Sequence, residues 1–312
     1  MVTMYFSGAE NTLHRLRQVH ALGYNIRGLM LTFMKIKSNR NETERAKYIR
    51  KSLGTKIMID SGAHSLLFAY GSEQRATTSW HKNNIEAQAM IDNNGYERYF
   101  DIYYRWLKFN RDAYDYAVEL DIQSIVGHEK VIEWRKKLLE DNIPIIFVIH
   151  TDAGDNFDTL KEWKSMGCKY VGFGGFNDNN PLHIKLVEEA HKLGLKIHLF
   201  AYAKPDIYER FPYIESIDST GYVMGSKFGE MHVFNNGKLK KFDIRNNKHY
   251  IKRLVDENPI FDLYDKRKVL INALDKEVFT SFNLFNLVQA NEYFAYLEDT
   301  HKQIKESDEK WW

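Results

Sequence analysis

The chain has 312 residues, of which 44% are hydrophobic and 28% charged, and a net charge of +2 at pH 7. This length suits one large domain or a domain with an appendage. The single cysteine, Cys168, excludes an internal disulfide framework and a zinc site built on several thiolates. Because the net charge is close to zero, any affinity for nucleic acid has to come from a local patch.

No segment of the sequence is predicted to enter a membrane. The longest apolar run, 143–149, has the length of a strand, whereas a membrane helix needs ~20 apolar residues. At the N-terminus no basic region precedes an apolar stretch, so we expect no signal peptide. These features predict a cytoplasmic location.

Short β-branched runs alternate with amphipathic stretches along most of the chain. The predicted strands are 3–6, 28–33, 56–60, 117–121, 144–150, 170–173, 196–200 and 216–218. The predicted helices are 11–22, 42–53, 98–116, 130–141, 157–166 and 182–193. Apolar strands that alternate with helices are typical of a parallel sheet covered on the outside. Eight strands favour a closed (β/α)8 TIM barrel in the α/β class, with an open doubly wound sheet as the alternative.

The pattern changes after the eighth strand. Segments 231–234 and 238–242 read as a β-hairpin around an Asn-Gly turn. From 244 onward the sequence is charged and helical, with a long last helix predicted at 282–304. We therefore predict a barrel domain at 1–243 and a C-terminal helical extension at 244–312.

Polar or glycine residues interrupt the apolar pattern where successive strands end. These residues are Asp60, Asp121, His150, Gly174, Gly175 and Asp218. In a parallel barrel these ends converge on one face, where the catalytic groups of such barrels lie. A single aspartate there is explained equally well as the N-cap of the next helix, but the ordered series favours a functional site.

Carboxylates that face one another across a pocket suit chemistry at an anomeric carbon. One carboxylate attacks the sugar carbon and forms a covalent glycosyl-enzyme, while another handles the proton of the departing group. A third can accept hydrogen bonds from a base, and glycine N–H groups can donate to a carbonyl oxygen because glycine permits close approach. The residues alone therefore point to glycosyl chemistry, with a nucleoside as one candidate substrate.

Four segments carry a family resemblance in chain order: Met58-Ile-Asp60-Ser-Gly-Ala-His-Ser65, Glu119-Leu-Asp121, Val171-Gly-Phe-Gly-Gly-Phe176 and Glu215-Ser-Ile-Asp218-Ser-Thr220. They resemble the Asp-Ser-Gly stretch, the strand-end aspartate, the Gly-Gly-Leu loop and the nucleophile segment of the tRNA-guanine transglycosylases. Together with Met4-Tyr-Phe-Ser-Gly-Ala-Glu10, they resemble the phage and bacterial DpdA-type enzymes, which place 7-deazaguanines in DNA. The likeness covers about 1–243.

The resemblance implies a role for each matching residue. Asp218 would be the nucleophile that attacks C1′ of a guanosine, and Asp60 the general acid and base for the two purines. Asp121 would accept hydrogen bonds from the N–H and amine edge of the purine. Gly174 and Gly175 would donate backbone N–H groups to its carbonyl oxygen.

Four further residues are candidate substrate contacts. His150, or its neighbour Thr151, occupies the place of a family glutamine that touches the base. Ser61 follows the proposed acid and base. Phe176 and Tyr202 are either stacking walls for the purine or core residues.

The sequence departs from the family at the zinc site. The tRNA-modifying members carry three cysteines and one histidine after the nucleophile segment, whereas this chain has only Cys168. We therefore expect no metal, and DNA rather than tRNA as the polymer. The basic residues Lys238, Lys240, Lys241 and Arg245 are the candidate phosphate contacts.

The expected reaction exchanges guanine for a free 7-deazaguanine precursor similar to preQ0. It needs no cofactor because one glycosidic bond is exchanged for a similar one. Two alternatives stay open: a hydrolase, either an N-glycosidase or a glycoside hydrolase, on the same barrel, and a non-catalytic nucleic-acid-binding subunit. The sequence leaves the oligomeric state undetermined.

Overall fold

The computed structural model describes residues 2–8, 18–37, 40–64, 66, 95–151, 154–202, 204, 207–235, 237–243, 248–263, 280–293 and 296. Eight strands form a closed parallel barrel in chain order, and two more form a separate antiparallel sheet. The barrel strands are β1 (Thr3–Ser7), β2 (Gly28–Thr32), β3 (Lys56–Asp60), β4 (Tyr116–Val118), β5 (Ile145–Ile149), β6 (Tyr170–Phe173), β7 (Lys196–Leu199) and β8 (Ser216–Ser219). The hairpin strands are β9 (Glu230–Asn235) and β10 (Lys238–Asp243).

Helices connect the strands, which confirms the predicted (β/α)8 TIM barrel. Before β8 they are Phe33–Ile36, Arg40–Leu53, Gly95–Phe109, Gln123–Val126, His128–Glu140, Phe157–Ser165, Pro181–Lys192 and Ile207–Arg210. The helix Gly221–Phe228 precedes the hairpin in the chain, and the helix Lys248–Glu257 and the 3-10 helix Pro259–Leu263 follow it. Residues 18–21 and 280–293 are also helical. Residues 11–17, 294–295 and 297–304 of the predicted helices lie outside the described residues.

The sequence-based prediction was wrong about both ends of one helix. The helix predicted at 98–116 spans Gly95–Phe109. Beyond it, the Asn110 side chain donates to the carbonyl of Trp106, and the Ala113 N–H donates to the carbonyl of Asn110, which closes a turn. These hydrogen bonds replace the next helical turn, and the chain enters β4 instead.

The predicted strand 117–121 was also too long, because β4 ends at Val118. The Glu119 side chain is buried, and beyond it the Ile122 N–H donates to the carbonyl of Leu120 instead of to a neighbouring strand. The chain therefore turns away from the sheet before Asp121.

The chain packs as two compact units, Met30–His198 and the combination of Met1–Leu29 with Leu199–Trp312. The predicted division at 243/244 stays a prediction. No helix among the described ranges is both long and apolar enough to cross a membrane.

A buried ion pair anchors the unit Met30–His198. The Arg135 guanidinium donates to both Glu119 oxygens at 2.5 and 2.7 Å, and the Val148 N–H donates to Glu119 Oε1 at 2.5 Å. The guanidinium also lies 4.1 Å from the Trp163 ring centroid and 4.8 Å from that of Phe147. Burial raises the pKa of Glu119, while Arg135 opposes the rise. The buried Glu119 carboxylate and the buried Arg135 guanidinium are each stable in the core only because the opposite charge is present.

In the other unit, the helical segment 280–293 covers the edge of the hairpin. The N–H groups of His232 and Phe234 donate to the side-chain oxygens of Asn283 and Asn286 at 2.7 and 2.8 Å. The Asn283 amide donates in turn to the carbonyl of Glu230 at 3.0 Å. Two asparagines one turn apart thus satisfy β9 donors that would otherwise form an open sheet edge.

His232 is a buried titratable group in this second unit. It is 1% exposed, and neither ring nitrogen has a hydrogen-bond partner among the described residues. Burial, together with the nearby charge of Lys241, lowers the pKa of His232 from 6.5 to about 4. The folded chain therefore holds His232 neutral at pH values where the unfolded chain protonates it.

We predict that His232→Leu reduces the acid sensitivity of the fold. Since the folded-state pKa of His232 is depressed, its contribution to stability falls as pH drops below 6.5. Between pH 7 and pH 5 the wild-type free energy of unfolding should fall by roughly 2 kcal/mol more than that of the variant. Urea unfolding at the two pH values measures this difference. His191→Leu, at an exposed position, should behave as wild type, and equal pH dependence of wild type and His232→Leu would contradict the prediction.

A second prediction concerns the buried ion pair. Arg135→Met leaves the Glu119 carboxylate buried without its counter-charge and should lower the free energy of unfolding by about 3–5 kcal/mol. The double variant Glu119→Gln with Arg135→Met removes both charges and should recover much of that loss. Chemical unfolding of the three proteins tests this, and a double variant no more stable than Arg135→Met would disprove it.

Candidate active site

The Asp218 carboxylate is the most deeply buried of the predicted site residues that carry a charge. It lies on β8, next to β1, with Asp218 paired in register with Tyr5. Its residue exposure is only 5%. Burial of a charge at this depth requires donors to its oxygens.

Two donors from neighbouring strand ends hold this carboxylate. Ser7, the last residue of β1, donates its hydroxyl to Asp218 Oδ2 at 2.7 Å. The backbone N–H of Ala201, two residues beyond β7, donates to Asp218 Oδ1 at 2.7 Å. Each oxygen is thus fixed by a different strand, which sets the plane of the carboxylate.

The backbone at Ala201 is strained. Its φ is +54°, in the left-handed region that residues other than glycine enter rarely and at a cost of about 1–3 kcal/mol. This conformation accompanies the short hydrogen bond from its N–H to Asp218. Backbone strain of this kind concentrates at sites where a group must be held in one orientation.

Tyr202 follows Ala201 in the same unit. It is 7% exposed, and the Lys204 ammonium lies 5.5 Å from its ring centroid. The ring is therefore largely enclosed, and little of its face is open to a ligand.

Asp60 occupies the equivalent position at the end of β3, in the unit Met30–His198. The side chain is half-buried, and its Oδ1 accepts the N–H of Gly62 at 3.3 Å. Gly62 has φ +84°, and a Cβ there would lie 2.7 Å from Met34 Cγ and 3.1 Å from Tyr99 Oη. Ser61 between them is fully buried, with its hydroxyl accepting the Ala63 N–H at 3.3 Å. The Asp-Ser-Gly stretch is thus a tight turn that only glycine completes.

Two buried tyrosines lie beneath this turn. Tyr99 donates its hydroxyl to the carbonyl of Ser61 at 2.5 Å, and Tyr103 donates to the carbonyl of Val118 at 2.7 Å. Burial, and then the charge of Asp60, raises the pKa of both phenols, and Asp121 adds to the rise at Tyr103. Asp60 and Asp121 therefore lie near the same buried phenol, within one unit.

Asp121 is joined to His150. The Asp121 Oδ2 atom lies 2.7 Å from His150 Nε2, with side-chain exposures of 13% and 26%. Because a carboxylate only accepts, His150 carries a proton on Nε2 and donates it to Asp121. Within the described residues, no second hydrogen bond to the Asp121 side chain is present.

Further contacts fix the His150 residue. The Asp155 carboxylate accepts the backbone N–H of His150 at 2.8 Å. Burial raises the pKa of Asp155, and this hydrogen bond opposes the rise. A Cβ at Gly174 would lie 3.1 Å from His150 Cε1 and 3.3 Å from Nδ1, so the imidazole occupies the space that glycine leaves.

The Gly174–Phe176 loop after β6 is partly engaged in the fold. The Gly174 N–H donates to the carbonyl of Ile149 at 3.2 Å, while Gly175 is exposed with φ +63°. The Phe176 ring stacks on that of His183, 6.1 Å between centroids. His183 itself accepts the Asn177 N–H on Nδ1 and lies 2.9 Å from the Thr151 hydroxyl.

The predicted phosphate contacts lie on the hairpin. Lys238, Lys240 and Lys241 are all exposed on β10. Side chains alternate along a strand, so Lys238 and Lys240 share one face and Lys241 lies on the other, opposite His232. Arg245 lies outside the described residues.

The described part of the chain holds no group of three or more histidine, cysteine, aspartate or glutamate side chains arranged to bind a metal. Two local arrangements result, one in each unit: Asp218 with Ser7 and Ala201, and Asp121 with His150 and Gly174. Asp60 lies in the same unit as the second arrangement. Such groups can act as a nucleophile, a proton carrier and a hydrogen-bond acceptor.

Four residues contribute to these arrangements without a role predicted from the sequence: Ser7, Ala201, Tyr99 and Tyr103. Ser7 carries a signal that was available, since it is a polar residue at the end of a strand like the others. The sequence carries no such signal for Ala201, because its contribution is a backbone N–H. Tyr99 and Tyr103 fit the apolar face of an amphipathic helix and read as core.

Comparison with known proteins gives no family assignment. No protein-family model matches the chain, and no curated protein matches it. A crystal structure described as a "putative fructose-1,6-biphosphate aldolase" from Coccidioides immitis is similar at a TM-score of 0.49 and 8% identity, over 95% of this chain and 92% of that chain. Since a fold does not determine an activity, the functional argument depends on the site residues.

The Asp218 environment yields a prediction for Ser7→Ala. The variant removes the hydroxyl that donates to Asp218 Oδ2 and should lower the free energy of unfolding by about 1–3 kcal/mol. Combining it with Asp218→Asn should cost less than the sum of the two single changes, because the carboxylate that needs the donor is gone. A double-mutant cycle from urea unfolding measures the coupling, and strict additivity would contradict the contact.

Proposed function

We propose that this chain is a base-exchange enzyme that replaces guanine in DNA with a 7-deazaguanine precursor, as DpdA-type members of the tRNA-guanine transglycosylase superfamily do. The observation that carries the proposal is the Asp218 carboxylate, 5% exposed and fixed through both oxygens at the end of β8. An oriented carboxylate at this position is what nucleophilic attack on a sugar carbon requires.

In the first half-reaction, an Asp218 oxygen attacks C1′ of a deoxyguanosine. The C1′–N9 bond breaks, and its electron pair leaves with the base, which takes a proton from the Asp60 carboxyl group. An ester bond between C1′ and Asp218 holds the deoxyribose. This step needs Asp218 ionised and Asp60 protonated, so their environments have to differ.

The second half-reaction reverses these events with a different base. The incoming 7-deazaguanine loses its N9 proton to the Asp60 carboxylate, and N9 attacks C1′. The ester bond breaks and Asp218 is released. No electrons are gained or lost overall, and the site has to exclude water so that the intermediate is not hydrolysed to an abasic site.

The proposal assigns base recognition to the Asp121 and His150 pair. Asp121 Oδ1 would accept hydrogen bonds from the purine N1–H and 2-amine. Because the Gly174 N–H donates to Ile149, contact with the purine carbonyl oxygen falls to Gly175 in this scheme. The aromatic face of Phe176 is the candidate stacking surface.

DNA is the proposed polymer because the chain has a single cysteine and cannot form the zinc site of the tRNA-modifying members. The exposed Lys238 and Lys240 are the candidate phosphate contacts. Modification of cellular or phage DNA would also require the enzyme to work in the cytoplasm. The target base has to leave the helical stack, at a cost of a few kcal/mol in a duplex.

The proposal predicts a specific effect of Asp218→Asn. The purified protein is incubated with guanine-containing DNA and labelled guanine, and incorporation of label is measured. The variant should lower incorporation by about 10³-fold or more, because an amide is a poor nucleophile. Binding of free guanine should stay within a few-fold of wild type, since the purine contacts are intact. Asp158→Asn, at an exposed carboxylate (90%), should leave incorporation unchanged.

Other outcomes separate the rival functions. Guanine release without incorporation would indicate a hydrolase. Incorporation that survives Asp218→Asn would overturn the assignment of the nucleophile. Failure of wild type to incorporate guanine or a 7-deazaguanine into single-stranded or duplex DNA would overturn the proposed function, and incorporation into tRNA alone would correct the polymer.

A further inference from the structure

We infer that His150 is a positioning residue for Asp121, and that it thereby determines which purines the site accepts. The inference rests on the proposed function and adds a residue that selects the free base. It concerns only the unit Met30–His198, where all of its contacts lie.

A hydrogen bond joins the His150 and Asp121 side chains. His150 Nε2–H holds Asp121 Oδ2 at 2.7 Å, a short charge-assisted contact. Asp121 lies three residues past β4, beyond the hydrogen-bonded part of the strand. The imidazole therefore fixes the rotation of the carboxylate and directs Oδ1 away from His150.

Contacts to Asp155 and Gly174 hold His150 in place. The His150 backbone is anchored by the 2.8 Å hydrogen bond from its N–H to Asp155, directly after β5. On its other side the ring lies against Gly174, where a Cβ would be 3.1 Å from Cε1. A Cβ at that distance is tighter than most contacts of this kind, so the imidazole would have to shift by a few tenths of an ångström to make room for it. Asp155, His150 and Gly174 thus form a support for Asp121.

The Asp121 and His150 side chains are both partly exposed to solvent. The Asp121 and His150 side chains are 13% and 26% exposed, so the pair is reachable from solvent rather than sealed in the core. The Glu119 and Arg135 side chains, by contrast, are only 2% and 1% exposed, so solvent cannot reach that pair. Solvent-accessible groups with fixed orientation are the kind that discriminate ligands.

The chemistry then selects a ligand class. One fixed carboxylate oxygen and its lone pairs accept from adjacent N–H donors, such as N1–H and the 2-amine of guanine and of 7-deazaguanines. Hypoxanthine lacks the amine and forms one hydrogen bond fewer. A charged hydrogen bond contributes about tenfold or more to binding, so the site should prefer guanine over hypoxanthine by at least that factor.

The test measures equilibrium binding of free guanine and free hypoxanthine to the full chain by calorimetry or competition. His150→Ala should weaken guanine binding about tenfold and reduce the preference for guanine over hypoxanthine to about twofold, because the carboxylate can rotate. Gly174→Ala should act in the same direction by displacing the ring. Added imidazole should partly restore guanine binding to His150→Ala, which loss of a merely structural residue would not allow.

Controls make the outcomes distinct. His191→Ala, an exposed histidine on the helix Pro181–Lys192, should leave both affinities unchanged. If wild type binds guanine and His150→Ala keeps the same preference, the inference is overturned while the proposed function stands. If wild type binds no guanine or 7-deazaguanine, the proposed function fails and the inference fails with it.

Discussion

A charged carboxylate buried at the end of a barrel strand is stable only if donors from other strands reach its oxygens. Asp218 satisfies this condition through the Ser7 hydroxyl at the end of β1 and the Ala201 N–H beyond β7. Those donors come from chain positions 211 and 17 residues away, so the arrangement depends on the order of the strands around the barrel. The left-handed φ of Ala201 is the local cost of that arrangement.

The carboxylates of the other unit have different surroundings. Asp60 Oδ1 accepts a hydrogen bond from the Gly62 N–H in the turn that follows it, and the buried phenols of Tyr99 and Tyr103 lie beneath that turn. Asp121 is bound to a histidine and partly exposed, whereas Glu119, two residues earlier, is buried against Arg135. Neighbouring acidic residues thus have different environments, and the proposed roles of nucleophile, proton carrier and base receptor depend on such differences.

Position along the strands selected the candidate site residues. The rule that functional groups follow the carboxyl ends of parallel strands selected Asp60, Asp121, His150 and Asp218. In the structure, a hydrogen bond joins Asp121 to His150. The same rule applied to β1 would have given Ser7 a role. The rule has no means of finding Ala201, whose contribution is a backbone conformation, or of separating Lys241 from Lys238 and Lys240 across the faces of β10.

The sequence by itself determined the alternation of eight strands with helices, because apolar periodicity and strand length are local properties of the chain. It left a closed barrel and an open doubly wound sheet as alternatives, and only the pairing of β1 with β8 in the tertiary structure decides for the barrel. It did not determine where the helix Gly95–Phe109 ends, since the turn at Asn110 is closed by side-chain and backbone hydrogen bonds that helical periodicity does not encode. Nor did it reveal that the Asp121 carboxylate meets His150, 29 residues away. Only the tertiary structure decides such contacts, because they depend on which strand ends the packed barrel makes neighbours.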